Sequence, residues 1–417
     1  MQIYLESLGC RLNAAEIEAM ARLFAGAGHD VVEAPEGADI IVLNSCTVTA
    51  QAARKSRHRL HTLHHRYPQA RLAVSGCWAT EDVAQASRLP GVAWVIPNED
   101  KARAVEIITG VVAEPAPWSP GRWGHTRAFL AVQDGCDHAC TYCVTRLLRG
   151  PARSRPLADA VQAARDLAVQ GAQEVVLTGV SLGAYGHEVG LEHGLATLVA
   201  AILRETDVPR LRLSSVEPWD VDESLIALWD NPRFCRQLHI PLQSGCDVVL
   251  QRMGRRYTVA RFAALVDAVR AVSPAIAITT DVIVGFPGES EADFAASLDF
   301  VARMAFARLH VFPYSVRPGT PAIRLPEAVP QATRTERAAR MRALGEQLAT
   351  EYRLGFIGQT LPVLWEQRDA AGYWHGLTDN YLEVVVPAEE DLYNRIMSTH
   401  LISLEDDVLS GELMRIG

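Results

Sequence analysis

Three times in the first hundred residues, a cysteine falls one or two positions beyond a short apolar run. LESLGC ends at Cys10, IVLNSC at Cys46 and LAVSGC at Cys77. The apolar runs Ile3–Leu8, Ile40–Leu43, Leu72–Val74 and Trp94–Ile96 alternate with helical spacing near Ala14–Ala25, Ala50–Tyr67 and Glu81–Leu89. Strands separated by helices pair in parallel. A parallel sheet lines up the carboxyl ends of its strands along one edge, the usual ligand crevice of an open α/β sheet. A lone cysteine is most often a small buried hydrophobe. Three at the same topological place point instead to one shared inorganic centre with an open fourth position.

A second set of three lies in DGCDHACTYC, where Cys136, Cys140 and Cys143 follow a strand-like segment, Phe129–Gln133. Structural zinc sites close with four protein ligands. Here the CxxxCxxC loop holds three thiols, with His138 inside it and no second CxxC nearby, so a zinc knuckle is the bland alternative. An iron–sulfur cluster with one unclaimed iron fits the spacing better, because that iron can bind a second molecule. Tyr142 is placed to cover the cluster or a bound nucleotide's adenine, or to pack in the core. Cys235 and Cys246 fit neither set and read as structural thiols.

The strand-then-helix unit repeats six times between about Thr126 and Arg353, with strands at Phe129–Gln133, Glu174–Thr178, Arg210–Ser214, Leu238–Leu242, Ile276–Val284 and Arg308–Phe312. Six units predict an open, partial version of the eight-fold barrel, with ligands at the strand ends. Before it, EPAPWSPGRWG (residues 114–124) reads as a linker. After it, short β-type runs predict a small antiparallel barrel. The expected domains are 1–110, linker 111–125, 126–353 and 354–417, an α/β chain ending in a β-barrel.

Composition adds limits. At 49% hydrophobic and 21% charged over 417 residues, the chain reads as ordinary globular protein. It shows no run of about 18 apolar residues and opens directly into a strand, so a cytoplasmic location is the expectation. Eight cysteines are too few for a secreted disulfide framework. The net charge of −9 is concentrated at the end: residues 355–417 carry three Arg against eleven Asp plus Glu, or −8, and the preceding residues carry −1. The acidic tail therefore does not exclude an RNA partner for the rest.

Taken in order, SLGCRLN, NSCTVTAQAARKSR, SGC, DGCDHACTYC, RGPARSRP, TGVSLGAYG, SSVEP, HIPLQSG and DVIVGFPGE resemble the methylthiotransferases of the radical S-adenosylmethionine superfamily across essentially the full length. CTVT with AARKSR looks like the branch acting on N6-threonylcarbamoyladenosine in tRNA. The acidic tail keeps the ribosomal-protein aspartate branch as an alternative, and a noncatalytic iron–sulfur or zinc RNA-binding protein is the non-enzyme alternative. The chain departs from the family at VTRLLRG, where Thr145 and Arg146 replace the usual Ile-Pro.

The resemblance implies a flavodoxin-like amino-terminal domain, a six-unit partial barrel and a carboxy-terminal β-barrel of the TRAM type. It implies two 4Fe–4S clusters: one held by Cys136, Cys140 and Cys143 that binds S-adenosylmethionine, and an auxiliary one held by Cys10, Cys46 and Cys77 that carries the inserted sulfur. Reductive cleavage of S-adenosylmethionine would give a 5′-deoxyadenosyl radical acting at C2 of the target adenine, and a second S-adenosylmethionine would supply the methyl group.

Strand-end loops nominate Gly179, Ser181, Ser215, Glu217, Gln243 and Ser244, with Tyr142, as cofactor contacts. Each could equally be a turn residue. GFPG (residues 285–288) reads as turn geometry. Arg54, Lys55, Arg57, Arg149 and Arg153 are nominated for phosphates, within the wider basic groups 54–66, 146–155 and 252–256; a solvated face is their bland reading. An anticodon loop, whose bases can be splayed out, is the expected partner. A reduced flavodoxin or ferredoxin is the expected electron donor, with no membrane and no stable protein partner.

Overall fold

The computed structural model describes residues 1–122 and 125–414. Trp123 and Gly124 of the expected linker, and the last three residues of the expected tail, lie outside the described residues. The chain forms two compact units. The first comprises residues 1–155, 178–181 and 315–323, and the second comprises residues 156–177, 182–314 and 324–417. This grouping cuts across the boundaries expected near 126 and 354.

The first unit is built on a five-stranded parallel sheet of β1 (Gln2–Ser7), β2 (Asp30–Val32), β3 (Ile40–Ser45), β4 (Arg71–Gly76) and β5 (Val92–Ile96), in the order β2-β1-β3-β4-β5. That is the flavodoxin-like order. Central β3 is buried at all six positions, as a strand covered on both faces must be. One core packs Ile41, Leu43, Leu72 and Val74 against Leu60, Leu63 and Trp78, and the other packs Ile3, Ile40, Val42 and Ala73 against Ile17, Met20 and Phe24. Helices α1 (Arg11–Gly26) and α2 (Ala50–Arg66) supply those apolar faces.

The helix expected over Glu81–Leu89 is two short pieces, Cys77–Glu81 and Val83–Ser87. Asp82 breaks it with a non-helical backbone (φ −145°, ψ 71°) and accepts the Gln85 N–H at 2.9 Å, capping the second piece. At three residues, β2 is too short to show an alternation and escaped the sequence reading.

The expected linker is not free chain. Ala116 exchanges two hydrogen bonds with Arg22 of α1, its N–H donating to the Arg22 carbonyl at 2.9 Å and its carbonyl accepting from Arg22 Nε at 2.8 Å. Trp118 is buried and donates to the carboxyl of Glu18, whose Oε2 has no partner. Burial pushes Glu18 up to about 8, outweighing Arg22 and the hydrogen bonds from Trp118 and the Phe129 backbone. A carboxyl raised on folding contributes stability that is complete below its ordinary pKa and is lost as pH rises through the folded one. Glu18→Gln should therefore flatten the fall in stability between about pH 4.5 and 8, read as thermal midpoints of both proteins across that range.

In the second unit, parallel ladders join Glu174–Thr178 to Arg210–Leu213, and Gln237–His239 to Ala277–Val284 to Arg308–Pro313. Isolated bridges Leu211–Phe234 and Ser215–His239 connect the two sets. The covering helices Leu157–Val169, Gly194–Glu205, Val259–Val272 and Glu291–Met304 lie where the periodicity placed them, and Gln331–Leu354 follows. Five strands between Thr360 and Leu413 close a barrel around Val363, Trp365, Val384, Leu401 and Leu409.

Buried charge pins this barrel inside the unit. Arg212 is paired with Glu174 at 2.6 Å and donates to the Asp379 carbonyl at 2.9 Å, while Arg236 pairs with the Asp379 carboxylate at 2.6 Å. One acid of the tail is thus internally neutralised. No helix among the described residues is long and apolar enough to cross a membrane.

Candidate active site

β1 and β3 are neighbours at the point where the strand order reverses, and Cys10 and Cys46 lie just beyond their carboxyl ends. Cys77 follows β4 directly. Burial pushes the Cys46 thiol up to about 11, and the like charges of Cys10 and Cys77 add to it. Cys10 is an exposed residue overall, yet crowding around its thiol raises it too, with Arg149 opposing and Cys77 reinforcing. Each of the three therefore lies within electrostatic reach of another.

The backbone is shaped to let them meet. Gly9 has φ +108°, and a Cβ there would sit 2.7 Å from Cys46 Cβ and 2.8 Å from its Sγ. Ser56 of α2 grips the Cys46 main chain from both sides, accepting its N–H at 3.1 Å and donating to its carbonyl at 2.9 Å. The segment after Cys46 is held by Thr47, which bonds Glu81 and accepts from Arg317 at 2.8 Å. Arg317 also pairs with Glu81.

The second set belongs to the same unit. Gly135 (φ +74°) precedes Cys136, and a Cβ there would meet the Pro151 carbonyl oxygen at 1.9 Å. The Cys136 N–H donates to the Gly150 carbonyl at 3.1 Å, which closes the loop on itself. Main-chain N–H groups already face the sulfurs: His138 to Cys136 Sγ and Thr145 to Cys143 Sγ, both at 3.4 Å. The Thr145 hydroxyl, at the position that departs from the family, lies 3.2 Å from Cys143 Sγ. The His138 ring is 3.1 Å from Ser181 Oγ. Each set therefore offers three sulfurs. That donor set suits an iron–sulfur cluster with one iron open to another ligand.

Between the sets lies Arg149. Its residue is only 4% exposed, and it reaches Glu16, Asp134, Asn13 and Cys77. The expectation that Arg149 contacts RNA phosphate is thereby corrected, because its guanidinium is enclosed by these acceptors. Although burial works the other way, Lys101 and Arg149 hold Glu16 below the ordinary carboxylate range.

The other nominated phosphate contacts are open. Arg54, Lys55 and Arg153 are exposed and Arg57 is half-buried, with Arg153 3.5 Å from Asp134. Neighbouring Arg59 is paired bidentately with Glu6.

Of the nominated cofactor contacts, Tyr142, Gly179 and Ser181 belong to the first unit. Gln133 Oε1 accepts the Ser181 N–H at 2.8 Å, and a Cβ on Gly179 would meet the same Gln133. In the second unit, Ser215, Glu217, Gln243 and Ser244 lie beyond adjacent strand ends. Gln243 has φ +65° and links to the Ala277–Val284 strand through two main-chain bonds of 2.8 Å. Ser244 is buried, and its hydroxyl accepts the Cys246 N–H at 3.3 Å. Glu217 is ion-paired with buried Arg255, which lies against the faces of Trp219 and Tyr257. Arg255 is accordingly an internal partner, not the phosphate contact its basic cluster suggested. Asp220 is pushed up to about 7 by burial and by Glu217.

Sequence reading missed a polar group on three neighbouring strands. His239 Nε2 and His310 Nδ1 lie 3.3 and 3.1 Å from the same Asp281 oxygen, and His239 Nδ1 is 2.9 Å from Thr279 Oγ1. Although burial opposes it, bonds from both imidazoles hold Asp281 well below the usual carboxylate range. These three atoms are also spaced for a divalent cation. The signal was a polar residue at a same-face place in each of three apolar strands.

The family model described as Uncharacterized protein family UPF0004 matches residues 2–96, and that of the Radical SAM superfamily matches residues 130–301. The chain is 33% identical over 432 residues to threonylcarbamoyladenosine tRNA methylthiotransferase MtaB of Bacillus subtilis, covering 98% of this chain and 96% of the relative. It is 36% identical over 418 residues to the Thermotoga maritima protein of the same name, with coverages of 97% and 94%. The chain belongs to the radical S-adenosylmethionine methylthiotransferase family.

A third relative of this methylthiotransferase, tRNA-2-methylthio-N(6)-dimethylallyladenosine synthase of Chloroflexus aurantiacus, is 34% identical over 427 residues, covering 98% of this chain and 90% of the relative. Among solved structures, the radical S-adenosylmethionine methyltransferase TsrM from Kitasatospora setae shares the fold, with a TM-score of 0.55 at 17% identity over 77% of this chain and 76% of that one. The methylthiotransferase is an enzyme whose cofactors are S-adenosylmethionine and 4Fe–4S clusters. In it, Gly9→Ala should displace the Cys46 sulfur, which a Cβ at position 9 would meet at 2.8 Å. Iron and sulfide bound per chain after anaerobic reconstitution should then fall below the wild-type amounts.

Proposed function

We propose that this methylthiotransferase adds a methylthio group to C2 of N6-threonylcarbamoyladenosine beside the anticodon of tRNA. The observation that carries the reading is the presence of two three-thiol sets in one compact unit. The tRNA substrate and its modified base are supported by the names of the two MtaB relatives and by the CTVT–AARKSR segment around Cys46.

In this reading, Cys10, Cys46 and Cys77 hold the auxiliary cluster, and Cys136, Cys140 and Cys143 hold the one that binds S-adenosylmethionine. When bound, these groups supply the radical chemistry, the sulfur and the methyl group. The chain's own part is placement. Gly9 and Ser56 fix the Cys46 sulfur, and the N–H groups of His138 and Thr145 point at theirs. Tyr142, Gly179 and Ser181 in the first unit are assigned to S-adenosylmethionine, as are, taken separately, Ser215, Glu217, Gln243 and Ser244 in the second, where Arg255 orients Glu217. Arg54, Lys55, Arg57 and Arg153 meet the phosphate backbone. A cytoplasmic location and a reduced flavodoxin or ferredoxin as electron donor belong to the same proposal.

Two variants separate the roles. Cys140→Ala should abolish 5′-deoxyadenosine formation from S-adenosylmethionine and dithionite. Cys10→Ala should retain it while losing methylthio transfer to tRNA by about a hundredfold or more, a loss of roughly 3 kcal/mol in barrier terms, followed by mass spectrometry of tRNA nucleosides. Unchanged 2-methylthio-N6-threonylcarbamoyladenosine in a strain deleted for this protein would sink the substrate assignment.

Binding should also be steeply salt-dependent. Replacing Arg54 and Lys55 together by Gln should reduce the slope of log affinity against log salt by about one to two, measured by filter binding of modified tRNA across a salt series.

A further inference from the structure

Arginine carries five N–H donors in a rigid fork, and at Arg149 all five have acceptors. Nη1 donates to Glu16 Oε1 at 2.8 Å and to Asp134 Oδ1 at 2.9 Å; Nη2 donates to Asn13 Oδ1 at 2.9 Å and to Glu16 Oε2 at 3.3 Å. The fifth donor, Nε, is aimed at Cys77 Sγ at 3.4 Å. Asn98 Nδ2 approaches the same sulfur at 3.7 Å while donating to the Leu148 carbonyl at 3.0 Å.

The acceptors are neutralised among themselves. Lys101 Nζ reaches Glu16 Oε2 at 2.6 Å, so buried Arg149 and Lys101 face the carboxylates Glu16 and Asp134, with exposed Arg153 3.5 Å from Asp134. A purely structural cation could have been satisfied by the carboxylates alone. Here one edge of the guanidinium is turned to a sulfur instead. A charged donor on a ligating thiolate withdraws electron density and favours the reduced, more negative cluster. Burial keeps water from screening that effect.

We propose that Arg149 is a positioning residue that sets the reduction potential of the auxiliary cluster through its hydrogen bond to Cys77. The inference rests on the assignment of Cys10, Cys46 and Cys77 as that cluster's ligands. Arg149 also ends the short helix Thr145–Arg149 that begins two residues after Cys143, and Asp134 lies two residues before Cys136. The residue that biases one cluster is therefore fastened to the chain on both sides of the other set of ligands.

The test uses the full-length chain, reconstituted anaerobically with iron and sulfide, with Cys136, Cys140 and Cys143 replaced by Ala so that only the auxiliary cluster is observed. Dithionite supplies the single electron that converts the oxidised cluster to its reduced form, and electron paramagnetic resonance reads the reduced fraction at each poised potential. Arg149→Gln should keep its iron and sulfide but shift the one-electron equilibrium about tenfold toward the oxidised form, about 59 mV in midpoint.

Arg149→Lys keeps the charge opposite Glu16 and Asp134 but cannot also hold a donor on the sulfur, so a smaller shift in the same direction is expected. An assembled Arg149→Gln cluster with the wild-type midpoint would overturn the proposal. If that variant fails to assemble, the Lys variant decides, and a wild-type midpoint there overturns it equally. Absence of any cluster in the protein with Arg149 intact would overturn the ligand assignment itself, an outcome that iron analysis alone distinguishes.

Discussion

A guanidinium removed from water must find an acceptor for each of its donors, because a buried charge left unpaired costs several kcal/mol. Arg149 meets that demand by drawing together α1, through Asn13 and Glu16, the strand-end cysteine after β4, and the aspartate before the CxxxCxxC loop. None of these partners is close to it in sequence except Asp134. One buried side chain therefore joins Cys77 to the segment just before the CxxxCxxC loop. The second unit repeats the device for a different purpose. Fully buried Arg212 binds Glu174 and the main chain at Thr378 and Asp379, fixing the small barrel to the parallel strands.

Much of this was legible in the sequence because it follows from periodicity. The strands that precede Cys10, Cys46 and Cys77 are dense apolar runs. Parallel pairing then leaves those cysteines no other edge to occupy. The open barrel's strands and most of its helices announce themselves in the same way, and the closed barrel from Thr360 onward does so through short runs between turn residues. The reading failed where a residue's partner is distant or its segment short. β2 has three residues, and the helix after Cys77 is cut by an aspartate that prefers to cap. Trp118 and Ala116 looked like linker because Pro and Gly surround them, but α1 offers them partners in Glu18 and Arg22.

Charged residues were the hardest to place. Lys and Arg are usually solvated, so Arg149 and Arg255 read as phosphate contacts beside truly exposed Arg54 and Lys55. What distinguishes them is the nearby acid, Glu16 for one and Glu217 for the other, and sequence separation conceals both. The His239, Asp281 and His310 group was hidden for the opposite reason: each residue alone is an ordinary polar interruption of a strand, and only register brings Asp281 beside His310.

One contact links the surface to the interior. Ser56 clasps both polar groups of the Cys46 peptide, and it lies on α2 between Lys55 and Arg57. The helix that carries exposed Arg54 and Lys55 is thus tied to the Cys46 main chain through a single hydroxyl.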